Sequence, residues 1–326
     1  MSDDVREALT LQAAACRSLG SLQYAELLEH LVLDHDRGGL VRELLAGRSQ
    51  RPTHDALPLR LLAAAHRLAL RGEASALAAR FPSCGGDGAP VDPTIFLETV
   101  RNHRAEIESA LGEQVQTNEP RRSVALVATA RWLAARGVAE FDLLEIGASA
   151  GLNQNFDRLG HQPPGEGAAA RCVERRGCDP FPLNPADDAD ALRLLSFVWP
   201  DQTERFDRLR AAIETARRWP PTIDSDSADD FLRRRLATSA PRARVIFHSI
   251  VWQYLSPPVR DGVRDAIRGA GSRASSTTPI VWARMEPAGP VADLRVTILD
   301  GSTEVETIVG EVGYHGQNFV WRENPA

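Results

Sequence analysis

The sequence predicts an α/β protein in which a Rossmann-like, mainly parallel sheet follows a helical N-terminal region. Three observations carry that expectation. Leucine and alanine recur at three- and four-residue spacing from Val5 to about Ala79, the helical period. After Gly137 short apolar runs alternate with helical stretches, the pattern of strands joined by crossover helices. Between the two textures, Phe141-Asp-Leu-Leu-Glu-Ile-Gly-Ala-Ser-Ala-Gly-Leu-Asn153 reads as a strand, a turn of small residues and a helix start.

Helices are expected within Tyr24–Leu33 and Leu57–Leu70. The glycine- and proline-rich stretch Phe81–Pro90 should be a loop, and helix should resume from Pro93 to Leu111. Thr117 or Asn118 then offers a cap, with Pro120 in the first turn of a helix running to about Ala135. Beyond Gly137 the expected strands are Phe141–Ile146, Arg171–Glu174, a third near Pro221, Arg244–Phe247 and Ile280–Arg284, with helices over Asp188–Arg217 and Pro258–Arg268. Asp293–Leu299 and Thr307–Trp321 should form an antiparallel C-terminal hairpin across Asp300-Gly301, because Asp-Gly is a strong turn signal. At 326 residues the chain exceeds the roughly 100–200 typical of one domain, so a helical cap over residues 1–115 and a sheet domain over 116–326 are expected.

Composition excludes several chemistries. The chain has no lysine, its 38 basic residues being arginines, which removes a P-loop lysine and any lysine Schiff base. A net charge of −6 gives no general attraction for nucleic acid or anionic membranes. The four cysteines show no C-x-x-C and no paired histidine spacing, so no metal site is expected. No apolar run approaches the roughly 18 residues of a membrane span, and Met1-Ser-Asp-Asp-Val-Arg6 is unlike a secretion signal. A cytoplasmic protein with a small-molecule partner is expected, its oligomeric state open.

The loop after the first strand has an acid at Glu145 and glycines at Gly147 and Gly151, with Ser149 between them. Small residues there let a ligand approach backbone N–H groups. In methyltransferases such a loop lies under the amino-acid portion of S-adenosylmethionine, which makes Glu145, Gly147, Ser149, Gly151 and Asn153 cofactor candidates. Asp179, after the second strand, is the candidate ribose carboxylate, although it follows Gly147 at more than the roughly 20 residues of a compact unit. Asp226 stands where adenine would be contacted, or else it or Ser227 caps a helix. A plain strand-to-helix turn fits the loop as well. The loop also matches the nucleophile elbow G-x-S-x-G, with Ser149 completed by Asp293 and His315, but that fold needs strands and an oxyanion loop upstream, where residues 1–140 read as helical. The fourth strand should deliver His248, Trp252, Gln253 and Tyr254 to the same rim, joined by Glu286 and His315. His248, Tyr254 and His315 are the catalytic candidates, and Asn118, Glu119, Trp252, Gln253 and Glu286 the substrate-binding ones. A satisfied core histidine explains His248 at least as well, and aromatics such as Trp252 and Tyr254 are more often packing residues than a cofactor cage.

Several segments together resemble a bacterial family, domain of unknown function 2332. They are Gln116-Thr-Asn-Glu119, Leu144–Asn153, Arg175-Arg-Gly-Cys-Asp179 with Pro182, Val198–Arg205, Phe247–Tyr254, Arg284-Met-Glu-Pro287 and His315-Gly316. The resemblance covers nearly the whole chain and departs from the usual pattern around His161–Ala170, which is short here. It implies a class I methyltransferase-type fold behind a helical region and carries no established substrate or reaction. The activity to expect is S-adenosylmethionine-dependent methyl transfer to a small molecule. A serine hydrolase and a catalytically degenerate methyltransferase-like binding protein are the alternatives.

Overall fold

The computed structural model describes residues 4–323 and divides the chain into two units. One unit runs up to Thr117 and takes in Asp187–Arg210; the other holds Asn118–Ala186 and everything from Ala211 on.

The first unit is helical. Its helices include Asp4–Ser18, Leu22–Asp36, Leu57–Leu70 and Asp188–Ser196. Leu57–Leu70 starts with Pro58 in its first turn, where a missing N–H costs nothing, and buries Leu57, Leu61, Leu62, Ala65 and Leu68 on one stripe. Tyr24, Leu28, Leu31, Phe96, Ile107 and Trp199 complete that core. The single helix expected over Pro93–Leu111 is two, Pro93–Asn102 and Arg104–Leu111, because His103 takes a non-helical conformation between them. Likewise Asp188–Arg217 is broken by Phe197–Gln202 into Asp188–Ser196 and Thr203–Arg218.

His66 is fully buried in this unit, its Nδ1 3.0 Å from the Ser196 carbonyl and its Nε2 2.7 Å from Ser83 Oγ. Burial pushes it down from 6.5 to about 4, against the opposing pull of the Ser196 and Val198 carbonyls. The folded chain therefore binds fewer protons than the unfolded chain between these values, and stability falls as pH drops through them. The contribution is about 3 kcal/mol. Urea unfolding at pH 7.5 and pH 4 should show this loss in wild type and a smaller one in His66→Gln; equal losses would contradict a neutral, buried His66.

The second unit is built on a mixed sheet. Its strands are β1 (Glu140–Ile146), β2 (Arg171–Asp179), β3 (Ile223–Ser225), β4 (Ala243–Ser249), β5 (Ile280–Pro287), β6 (Ala292–Leu299), β7 (Glu304–Val312) and β8 (Val320–Trp321). They lie in the order β3-β2-β1-β4-β5-β6-β7-β8. β1 to β5 pair in parallel, and β6, β7 and β8 are added antiparallel. This is an α/β fold. β1 and β4 occupy the middle and are buried at nearly every position, as strands covered on both faces are. Both edge strands, β3 and β8, are short, which limits the unpaired backbone they present.

Alternation sorts the side chains to two faces. Phe141 and Leu143 of β1 pack with Val245 and Phe247 of β4 under the helix Ser123–Ala134. Leu144 and Ile146 pack with Ile246 against Phe231, Leu232, Val263 and Ile267 of the helices Ala228–Arg235 and Pro257–Gly271. β2 continues past the expected Glu174 to Asp179, because Gly177 and Cys178 are inside the sheet and pair with β1. The third strand is only Ile223–Ser225, and Ser227 caps the helix after it. The turn at Asp300-Gly301 forms as expected, with the Asp300 carboxylate accepting from Ser302 N and Thr303 N and pulled down to about 2. β7 begins earlier than expected and ends at Val312, the rest of that apolar stretch passing through a loop to β8. Among the described residues no helix is long and apolar enough to cross a membrane.

Candidate functional site

The order of strands reverses between β1 and β4, since β1 is followed by β2 on one side while β4 lies on the other. In open α/β sheets ligands collect beyond the carboxyl ends of strands at such a point. Here that end of β1 leads into the loop 147–151, in which Gly147 (φ 65°), Ser149 (φ 54°) and Gly151 (φ 69°) all adopt left-handed backbone. Ser149 does so at a steric cost of roughly 1–2 kcal/mol. Hydrogen bonds hold it there: its N–H donates to Asp179 Oδ2 at 2.9 Å, and its carbonyl accepts from Leu183 N at 3.3 Å.

What fills the space beside the two glycines is protein. A Cβ on Gly147 would come within 2.6 Å of both Val251 methyls, and one on Gly151 within 2.6 Å of Ile223 and 2.7 Å of Pro221. The loop is thus stitched to the ends of β2, β3 and β4. Asn118 adds a further stitch, its Oδ1 accepting from Leu152 N at 2.9 Å. It caps the turn after the loop, whereas the expected cap at Pro120 is supplied by Glu119, which accepts from Arg121 N.

Beneath the loop lies a group of buried polar side chains. Glu145 is 3% exposed and Gln154 and Asn153 each 1%. Glu145 Oε2, Gln154 Oε1 and Nε2, and Asn153 Oδ1 are buried without a hydrogen-bond partner among the described residues. Gly177 of β2 makes room for Gln154, since a Cβ there would meet its Nε2 at 2.6 Å. Burial pushes the Glu145 carboxyl up to about 8, the Asp179 charge adds to that, and the neighbouring Gln154 amide opposes it. Buried polar atoms are almost always paired, so these four, one on β1 and three on the turn Leu152–Asn155, set the place apart.

His248 lies on the opposite face. Glu145 is level with Phe247 in the sheet register, and the next residue points the other way. Both His248 ring nitrogens are engaged. Trp282 Nε1 donates to its Nε2 at 3.1 Å, so Nδ1 carries the proton and donates to Glu286 Oε1 at 2.6 Å. Trp252 stacks on the ring at 5.3 Å. Glu286 Oε1 also accepts from Val251 N and Trp252 N, so this knot fixes the turn after β4 and with it the Val251 side chain that abuts Gly147. A histidine so held orients a loop, the arrangement of a satisfied core histidine, and both of its ring nitrogens are already engaged by protein.

Other candidates scatter. Asp179 Oδ1 accepts from Phe181 N at 2.9 Å, so its two oxygens brace both its own turn and the Ser149 backbone. The Asp226 carboxylate is met by Arg234 and accepts from Ser227 N. Tyr254 is 61% exposed and Gln253 is exposed too, beyond the knot. His315 Nδ1 is 3.7 Å from Glu119 Oε2, near Arg122, which donates to the carbonyls of Tyr314 and Ser249. The acid beside His315 is therefore Glu119, and Asp293 is instead paired with Arg295 at 2.7 Å. The expected acid of the triad of Ser149, Asp293 and His315 is thus engaged by Arg295. Sequence reasoning missed Gln154 and Arg122. Gln154 follows Asn153 directly, but only the short turn Leu152–Asn155 carries it under the loop.

Among the described residues one trio has metal-ligand spacing, Glu73, His103 and Glu106 in the helical unit, and Arg71 already pairs with both of its carboxylates. The cysteines are free, and burial holds Cys16 up at about 11 and Cys172 at about 12, so neither is a ready thiolate.

A family model described as "Uncharacterized protein conserved in bacteria (DUF2332)" matches residues 6–168 and 159–321. No curated protein and no solved structure matches the chain.

Proposed function

We propose that this chain, which belongs to the DUF2332 family, binds S-adenosylmethionine at the carboxyl end of β1 and transfers its methyl group to a small molecule. The observation that carries the reading is the buried, partnerless set of Glu145, Asn153 and Gln154 atoms beside the left-handed loop 147–151, at the reversal of strand order. The parallel order β3-β2-β1-β4-β5, with its reversal between β1 and β4, supports this reading.

The donor set fits the group chemically. An α-ammonium beside Glu145 would favour the ionised carboxylate that burial alone disfavours, and the Gln154 and Asn153 carbonyl oxygens offer further acceptors. Asp179, whose oxygens accept from Ser149 N and Phe181 N at the end of β2, stands where a ribose carboxylate would be placed. When bound, S-adenosylmethionine supplies an electrophilic methyl group. The residues' part is then alignment of the acceptor, for which a strong base is optional. Glu119 and His315 are the titratable pair in this unit placed to hold an acceptor or take its proton.

One observation favours the binding-protein alternative. The glycine spaces are filled by Val251, Ile223 and Pro221, so part of the usual reason for glycine here is packing. Equilibrium dialysis with methyl-labelled S-adenosylmethionine separates the outcomes. Wild type should retain the label at micromolar concentration, and Asp179→Asn should bind about tenfold more weakly, the loss of one charged hydrogen bond. Retention without any methylated product across an acceptor screen would favour the binding protein; no retention would remove the proposal.

A further inference from the structure

The helical unit holds a second arrangement that the loop after β1 does not use. Ser83 lines a cavity of about 620 Å³ together with Leu70, Ala78, Cys84, Phe206 and Arg210. Its Oγ is 2.7 Å from His66 Nε2, and His66 Nδ1 is 3.0 Å from the Ser196 carbonyl. A carbonyl only accepts, so the proton of His66 is on Nδ1 and the lone pair of Nε2 faces the Ser83 hydroxyl. The tautomer is therefore the one a general base needs, fixed by the fold. His66 itself is fully buried while Ser83 is half-buried, which puts the hydroxyl at the boundary between packed core and cavity.

We propose that Ser83 and His66 form a nucleophile and base that accept small, activated acyl groups in this cavity. Ser83 Oγ bonds to the carbonyl carbon as its proton passes to His66 Nε2. The bond from that carbon to the leaving oxygen then breaks, and the leaving group departs with the proton. Water, deprotonated by the same nitrogen, later releases the acid and restores Ser83. The lining is mixed, with Leu70, Ala78 and Phe206 set against Thr203, Asp207 and Arg210, so a short acyl chain beside the apolar part is the fitting class.

Oxyanion stabilisation limits the rate. The N–H groups of Ser83, Cys84, Gly85 and Gly86 all donate to carbonyls of the chain, and Arg210, the cation in the lining, lies 3.9 Å from the Asp207 carboxylate, which offsets its charge. Only esters with good leaving groups should react, and deacylation should be slow enough for the acyl form to accumulate. Because burial keeps His66 deprotonated down to about pH 4, acylation should not show the usual rise near pH 6.5.

The test is to incubate the full chain with p-nitrophenyl acetate, read the intact mass, and map the acetylated peptide. The expected result is a single acetyl on Ser83, absent in Ser83→Ala, retained in Cys84→Ser, and formed at a rate that changes less than twofold from pH 6 to pH 8. Peptide mapping of wild type decides the site even if Ser83→Ala fails to fold. Acetyl on Cys84 or Ser149 instead of Ser83, no acetyl on folded wild type, or a rate rising tenfold per pH unit over that range would overturn the proposal.

Discussion

Glu145→Gln should raise the stability of the free protein at neutral pH. The Glu145 carboxyl is held at about 8, against an ordinary 4.5, chiefly by burial. For an acid raised in the folded state, folded chains bind more protons than unfolded ones between these values. Stability is therefore full below about pH 4.5 and falls as pH rises to about 8. At pH 7 the deficit is about 3 kcal/mol. Glutamine keeps the shape without the ionisation, so urea unfolding at pH 7 should show Glu145→Gln the more stable by an amount of that order, with the gap closing by pH 4.5. A variant less stable than wild type at pH 7 would mean that the carboxylate is already paired. The same substitution should weaken S-adenosylmethionine binding, so stability and affinity are expected to move in opposite directions.

Gly147→Ala should destabilise the fold by about 2–5 kcal/mol. Left-handed backbone costs a side chain roughly 1–2 kcal/mol, and forcing a methyl into filled space typically costs 1–3 more. The added Cβ would lie 2.6 Å from both methyls of Val251, which the His248–Glu286 knot holds in place. Val251→Ala should cost stability alone yet recover part of the loss when combined with Gly147→Ala, an interaction visible in a double-mutant cycle. If Gly147→Ala instead left denaturation unchanged and only lowered ligand affinity, the glycine would be there for the ligand and not for Val251.

These two residues also show what the sequence conveys and what it withholds. The strand Phe141–Ile146, the small-residue loop and the Asp300-Gly301 turn are legible because each is a local pattern with a local cause. The alternation of strands and helices likewise announces an α/β sheet. Pairing register is not local. That Glu145 stands level with Phe247, and so points away from His248, follows only once β1 and β4 are aligned. A list of polar residues near strand ends therefore gathered groups from both faces into one site. The engagement of His248 by Trp282 and Glu286 was hidden for the same reason, since both partners come from β5 and reach it across the sheet. Gln154 was overlooked because its burial depends on Gly177, a residue of β2 whose missing side chain makes the space. His66 and Ser83 are each unremarkable in sequence, one inside an apolar helix and one in a glycine-rich loop, and only the fold joins them.

Calorimetric titration of the purified chain with S-adenosylmethionine and S-adenosylhomocysteine, repeated on Glu145→Ala, tests the central claim most directly. The account predicts micromolar binding of both ligands by wild type and its loss in the variant. Folded wild-type protein that binds neither ligand, or a variant that binds as well as wild type, would contradict it.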